Sequence, residues 1–343
     1  MILPSFRIRD GKEKAMDKRR KWFVLSLVSL ISVVLIAVWA GQMQAQEKYP
    51  TRGIDIIVPF SPGGATDLVG RVVGSFLKKK WTVPVNVINK PGGNTVPACL
   101  EVYRATSDGH TLLGDSNPSA SMLPAVVRNL PFKITDRTFI AIVAVTPMII
   151  IVPSESPIKS LKELEAEAKK SPETFTWTSL GGAGAQDFTC RQFLKAIGVD
   201  VSKTKPIMSQ GGAQAVVLTS GGNVKMGVGT TSGAIPAING GTVRPLAVTS
   251  AARYPDLPNL PTTAELGYPT VKCQFWIGLS GPPNMPSHIA ETWDKLLQEM
   301  LKDTEVITKL KNVGAVPFYH NANEMKGYVS AETEEVATLW GLK

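Results

Sequence analysis

Ile57-Val58-Pro59-Phe60-Ser61-Pro62-Gly63-Gly64-Ala65-Thr66-Asp67 carries a strand straight into a helix. The apolar run from Ile54 stops at Phe60, and Leu68, Val69, Val72, Val73, Phe76 and Leu77 then recur at helical spacing as far as Lys79. Two glycines without Cβ atoms let the backbone come close to a ligand. The first N–H groups of the helix point outward, unpaired and partially positive. Such a turn can grip a carboxylate without a basic side chain.

Outward from this turn, short apolar runs alternate with helix-period segments. The strand Ile54 to Phe60 and helix Leu68 to Lys79 are followed by strand Val85 to Asn89, helix Thr95 to Ala105 and strand Thr111 to Gly114. After the long apolar stretch Phe139 to Val152 a second series begins. Ser160 and Glu163 suit a capping box for helix Leu161 to Lys169. Strand Phe175 to Ser179, helix Gln186 to Ile197, strand Lys205 to Met208, helix Ala213 to Ser220 and strand Lys225 to Gly229 follow. Arg244 to Thr249 reads as another strand and Cys273 to Ser280 as an apolar return segment, before helices Ser287 to Leu301, Glu305 to Lys311 and Asn323 to Trp340. The alternation argues for βαβ units and parallel sheets in two α/β lobes. Crossings near Thr146 and Gln274 divide the chain into residues 1–45, an exported leader or anchor, 46–146 in the first lobe, 147–273 in the second, and 274–343 back in the first. The cleft between hinged lobes is the expected binding site.

The second lobe carries its own glycine turn. Strand Phe175 to Ser179 leads into Leu180-Gly181-Gly182-Ala183-Gly184-Ala185-Gln186-Asp187 and another helix, so two turns at strand carboxyl ends face one cleft. Each helix terminus contributes only about 0.3–2 kcal/mol to an anion, whereas micromolar affinity requires about 8 kcal/mol. Hydrogen bonds and the exclusion of water on closure must supply the difference. Asp67 suits a helix start or a ligand donor. Thr230 and Thr231, like Ser116 and Asn117, follow strand ends, where a ligand contact and a plain helix cap are equally open.

Composition removes several function classes. The 343 residues are 43% apolar and carry a net charge of +9, but residues 1–21 hold eight Lys or Arg against three acids, leaving +4 for the rest. Aromatic residues are not interleaved with the basic ones, so nucleic-acid binding is not expected. Lys18-Arg19-Arg20-Lys21 precedes the uncharged run Trp22 to Ala40, which reads as an export signal or, if uncleaved, as an N-terminal membrane anchor. Cys99, Cys190 and Cys273 permit at most one disulfide, and His110, His288 and His320 lie apart, so neither a metal nor a cofactor is expected. No Gly-x-Ser-x-Gly elbow or nucleophile and base pair supports the enzyme alternative, a hydrolase or isomerase.

Tyr49 to Arg52, Ile57 to Asp67, Asn89-Lys90-Pro91-Gly92-Gly93, Asp108 to Leu113, Arg244 to Ser250, Leu260-Pro261-Thr262 and Trp276-x-Gly278 occur in an order that resembles the Bug-type solute-binding proteins of tripartite tricarboxylate transporters. The resemblance runs from Tyr49 almost to the C-terminus. It implies a two-lobed periplasmic binding protein, type II-like and monomeric by default, that clasps a small carboxylate and delivers it to membrane permease subunits. It places ligand contacts at Phe60, Ser61, Gly63, Gly64, Ala65, Thr66 and Asp67, and at Ser179, Gly181, Gly182, Ala183, Gly184, Ala185 and Gln186. The family usually has a serine where Ala185 stands, a histidine near Asp187 and Tyr-Lys-Gly near Met208 to Gly211. Losing a hydroxyl and gaining a carboxylate narrows the expected ligand to a mono- or dicarboxylate, aromatic ones included. A sensory receptor acting on a membrane kinase is the alternative.

Overall fold

β1 (Ile54–Val58) turns through the glycine loop into α1 (Ala65–Lys80), which buries Val69, Val72, Val73, Phe76 and Leu77 and ends on three lysines that suit its negative end. β2 (Val85–Asn89), α2 (Val96–Arg104) and β3 (Thr111–Ser116) complete two crossovers, and β1 pairs in parallel with β2 on one side and β3 on the other. The computed structural model describes residues 49–342, together with Trp22 and Leu27. The export signal expected within residues 1–45 lies, but for those two positions, outside the described residues. The described residues from Arg52 onward pack as one compact unit, and no helix among the described residues is long and apolar enough to cross a membrane.

A π-helical turn over Pro118–Met122 and a single turn, α3 (Leu123–Val126), lead to β4 (Arg137–Pro153), whose 17 residues are almost all buried. A strand covered on both faces reads as a continuous apolar run. It serves two sheets. Residues Arg137 to Pro147 pair antiparallel with β9 (Gln274–Pro283), and part of the same run pairs with β10 (Val316–Asn321), while β9 also pairs with β3. Met148 to Pro153 pair instead with β7 (Gly227–Thr230) and β8 (Val243–Val248). The change of partner falls at Pro147, which has no N–H to give to either ladder.

After β4 come α4 (Leu161–Lys170), capped by Ser160, and then β5 (Thr176–Ser179) and β6 (Lys205–Met208), which pair in parallel as a separate two-stranded sheet. α5 (Ala185–Ala196), α6 (Gly212–Ser220) and α7 (Thr231–Asn239) follow β5, β6 and β7 respectively. α8 (Ser287–Met300), α9 (Thr304–Asn312) and α10 (Ala322–Leu339) follow β9. One core gathers Ile57, Leu113, Ile142, Val145, Trp276 and Met325, and another gathers Ile149, Ile151, Val216, Ala234, Val248 and Tyr254. This is a two-lobed α/β architecture. The sheets are mixed rather than wholly parallel: β4 and β9 run antiparallel to their neighbours, and since both are buried on both faces their apolar runs carry no sign of direction. α7 and β10 were not expected from sequence. Pro236 breaks the helical pattern of α7, and β10 shows no buried alternation.

Candidate functional site

The turn after β1 is held from within. Asp67, at the third position of α1, is 2% exposed. It accepts from Gly63 N at 2.9 Å and Asn89 Nδ2 at 3.0 Å. Arg71, one helical turn on, bridges both its oxygens at 2.9 and 3.1 Å. Gly63 needs its φ of +81° to bring its amide to that carboxylate. The amides of Ala65 and Thr66, at the first two helical positions, have no intrahelical acceptor. The Thr66 hydroxyl is buried and has no partner among the described residues.

The turn after β5 repeats the device more strongly. Asp187, again at the third helical position, accepts from Leu180 N at 2.8 Å and from Gly182 N and Gly184 N at 3.1 Å, and the Ser179 hydroxyl also donates to it. Burial pushes the Asp187 carboxyl above its ordinary range, and these four donors oppose that shift. Asp187 forms no salt bridge among the described residues. Positive φ at Gly181 (+97°) and Gly182 (+105°) curls the amides onto that single acceptor.

Between the turns lies a narrow cavity of about 20 Å³, room for about one water molecule. Gly64, Ala65 and Thr66 wall it at the start of α1, Gln186 at the start of α5, Gly211 and Gly212 at the start of α6, and Thr230 as the cap of α7. Phe60, Met148 and Phe275 form its apolar side, with the two rings edge to face at 6.3 Å. Four helix N-termini thus converge on one space that no charged side chain lines. A larger cavity of about 650 Å³ lies between α5 and α10. It contains no residue of either glycine turn, so size does not make it the site.

Residues 69–339 match the family model described as tripartite tricarboxylate transporter family receptor, TctC. The chain belongs to this family. It is 27% identical to BugT of Bordetella pertussis over 315 residues, covering 91% of this chain and 95% of BugT. Among solved structures it is similar to the periplasmic binding protein BugD, with a TM-score of 0.80 and 28% identity over 85% of this chain and 98% of BugD. An R. palustris protein solved with adipate gives a TM-score of 0.79 at 25% identity, covering 86% of this chain and 99% of that one. TctC proteins are periplasmic solute receptors rather than enzymes.

In this TctC receptor Phe60, Gly64, Ala65, Thr66, Gln186 and Thr230 line the cavity. Gly63, Asp67, Ser179, Gly182 and Gly184 form the frame behind it, with Ala183 and Ala185 packed and buried. Ser61 and Gly181 bond across the cleft. Thr231 is turned to Thr146, hydroxyl to hydroxyl at 2.7 Å. Ser116 and Asn117 lie away from the cavity, Ser116 bonded to Asp115 and Ser119, and Asn117 to Trp276, Gln274 and Glu332. Met148, Gly211, Gly212 and Phe275 are walls the sequence reading did not name. Gly211-Gly212 sits between a strand end and a helix, the same signal as the other two turns.

Proposed function

We propose that this receptor captures a small mono- or dicarboxylate between its lobes and delivers it to the membrane subunits of a tripartite transporter. The convergence of four helix N-termini on a cavity without a basic side chain carries this reading, since such a site favours negative charge through backbone amides. The adipate bound to a structural relative supports the ligand class. Asp187, with no basic side chain bridging it, opposes a third negative charge nearby, which favours a mono- or dicarboxylate over citrate. Lobe boundaries at 146/147 and 273/274, an exported periplasmic location and a monomeric state complete the proposal. A ligand of several carbons exceeds the present cavity, so binding requires the lobes to part and close again.

The test is a thermal-shift screen of residues 46–343 against mono-, di- and tricarboxylates, followed by calorimetry. A ligand at 100 times its dissociation constant adds about 2.7 kcal/mol of stability. A selective shift with a mono- or dicarboxylate is expected. Citrate as the tightest ligand would overturn the narrowing, and no shift with any carboxylate would overturn the ligand class. Uptake of the identified carboxylate, lost on deleting the receptor and restored by its return, tests delivery separately.

A further inference from the structure

Gly92, Gly93, Asn94 and Thr95 take four consecutive positive φ values, +107°, +55°, +52° and +69°. Glycine accepts this region freely and asparagine tolerates it, but a β-branched threonine there is a strained outlier. The turn lies in the first lobe, immediately before α2, and belongs to a motif that the carboxylate site leaves unused. It points Asn94 at the other lobe, where Asn94 Nδ2 donates to the carbonyl oxygen of Gly181 at 2.8 Å. A carbonyl oxygen only accepts, so the orientation of the side-chain amide is fixed by its partner. The approach is close: a Cβ on Gly181 would stand 2.8 Å from Asn94 Oδ1 and 3.0 Å from Met208 Cε. Glycine at 181 is favoured by its own φ of +97°, and a larger residue there would also displace the Asn94 side chain.

A second contact between the lobes joins the chain neighbours of two cavity walls, Phe60 and Gly211. Ser61 N and Ser61 Oγ both approach the Gln210 carbonyl oxygen, at 3.1 and 3.2 Å, beside Gly211, where a Cβ would meet Phe60 at 3.2 Å. In both places the first lobe donates and a backbone carbonyl of the second accepts. Ser61 can turn to water when the lobes part. Asn94 is held on a strained turn, and its buried Oδ1 has no partner among the described residues. Strain of this kind gathers at clamps and switches.

We propose that Asn94 is the latch of the cleft, a positioning residue that sets how long the lobes stay closed on a ligand through its bond to Gly181. The proposal rests on the two-lobed carboxylate receptor described above. A latch made after ligand entry governs release more than capture. Losing one net hydrogen bond of the closed form predicts about tenfold faster release, with association within about twofold.

The experiment uses receptor exported to and purified from the periplasm. Asn94→Gly keeps the left-handed backbone and removes the side-chain amide. Asn94→Asp sets an acceptor against the Gly181 carbonyl. Stopped-flow tryptophan fluorescence with adipate as the probe gives the two rate constants. Spin labels at Lys78→Cys and Lys170→Cys, on exposed positions of the two lobes, give the distance between them without ligand. The expected result is faster release and a longer mean distance for Asn94→Gly, and a larger effect for Asn94→Asp. Unchanged release and distance in both variants would overturn the latch. A distance shift in a protein that binds no carboxylate would support the latch while counting against the carboxylate reading.

Discussion

Thr66→Val separates a ligand-binding hydroxyl from a structural one by the signs of two effects. Thr66 is 1% exposed, lines the cavity, and its Oγ1 has no partner among the described residues. An unpaired buried hydroxyl costs about 1–3 kcal/mol. Valine keeps the branched shape and removes that group, so the ligand-free variant should gain about 1 kcal/mol, a rise of roughly 2–4 °C in Tm for a chain of this size. Affinity should move the opposite way. A hydrogen bond to a charged carboxylate contributes about 1.5–3 kcal/mol, so its loss weakens binding by roughly 10- to 150-fold. Differential scanning calorimetry without ligand and titration calorimetry with adipate measure the two quantities on one preparation. A lower Tm would show that the hydroxyl has a structural partner. A raised Tm with unchanged affinity would show that it faces no ligand, and either result refutes the reasoning.

Gly64→Val should fold with a stability change within about 1 kcal/mol, because its φ is −78° and a Cβ there meets nothing closer than Ser61 O at 3.5 Å. It should weaken adipate binding at least about tenfold by filling the cavity, and full affinity in calorimetry would show that the wall is not where ligand sits. Asp187→Ala strands the buried amides of Leu180 and Gly184, for a net cost of about 3 kcal/mol after relief of the buried charge. That lowers Tm by roughly 6–12 °C, in part restored by formate, and a drop under about 2 °C would remove Asp187 as the frame of its turn. Burial raises the Glu332 carboxyl above its ordinary range, against hydrogen bonds from Ser121, Trp276 and Asn117, with Glu335 pushing the same way as burial. A folded value above the unfolded one means that the stability it contributes is full below pH of about 4.3 and is lost as pH rises through the folded value. Glu332→Gln should therefore lose less stability than the parent as pH rises above about 4.3, and urea-midpoint profiles that stay parallel from there upward would contradict this.

Periodicity revealed both lobes because α1, α5 and the strands before them carry their own local signals. The glycine turns were legible for the same reason, and Gly211-Gly212 carried that signal too. Phe275 and Met148 were not legible as walls. They reach the cavity because β4 changes partners at Pro147, opposite Gln274, a long-range pairing that no local pattern encodes. Asp187 is the instructive case. In the sequence it is a carboxylate added to an anion loop, which suggests repulsion of ligand. In the fold, positive φ at Gly181 and Gly182 turns the loop amides onto it, so the residue consumes donors as well as adding charge. That effect depends on the path of the backbone, which residue identity alone does not specify.

The two turns are therefore alike in plan and unequal in what they leave free. Both place an aspartate at the third helical position, but Asp67 is neutralised by Arg71 and accepts one amide of its own turn, Gly63 N. Asp187 has no bridging cation and accepts three amides and a hydroxyl. On the proposed reading a carboxylate meets its better-prepared partner on the first lobe, at Ala65 and Thr66, where the nearby negative charge is already compensated. The second lobe then contributes enclosure, through Gln186, Gly212 and Thr230, more than charge. An order of events follows from that inequality: capture on the α1 turn, then closure across it. Thr66→Val should accordingly slow association as well as weaken binding, whereas a change confined to the closing contacts should act on release alone.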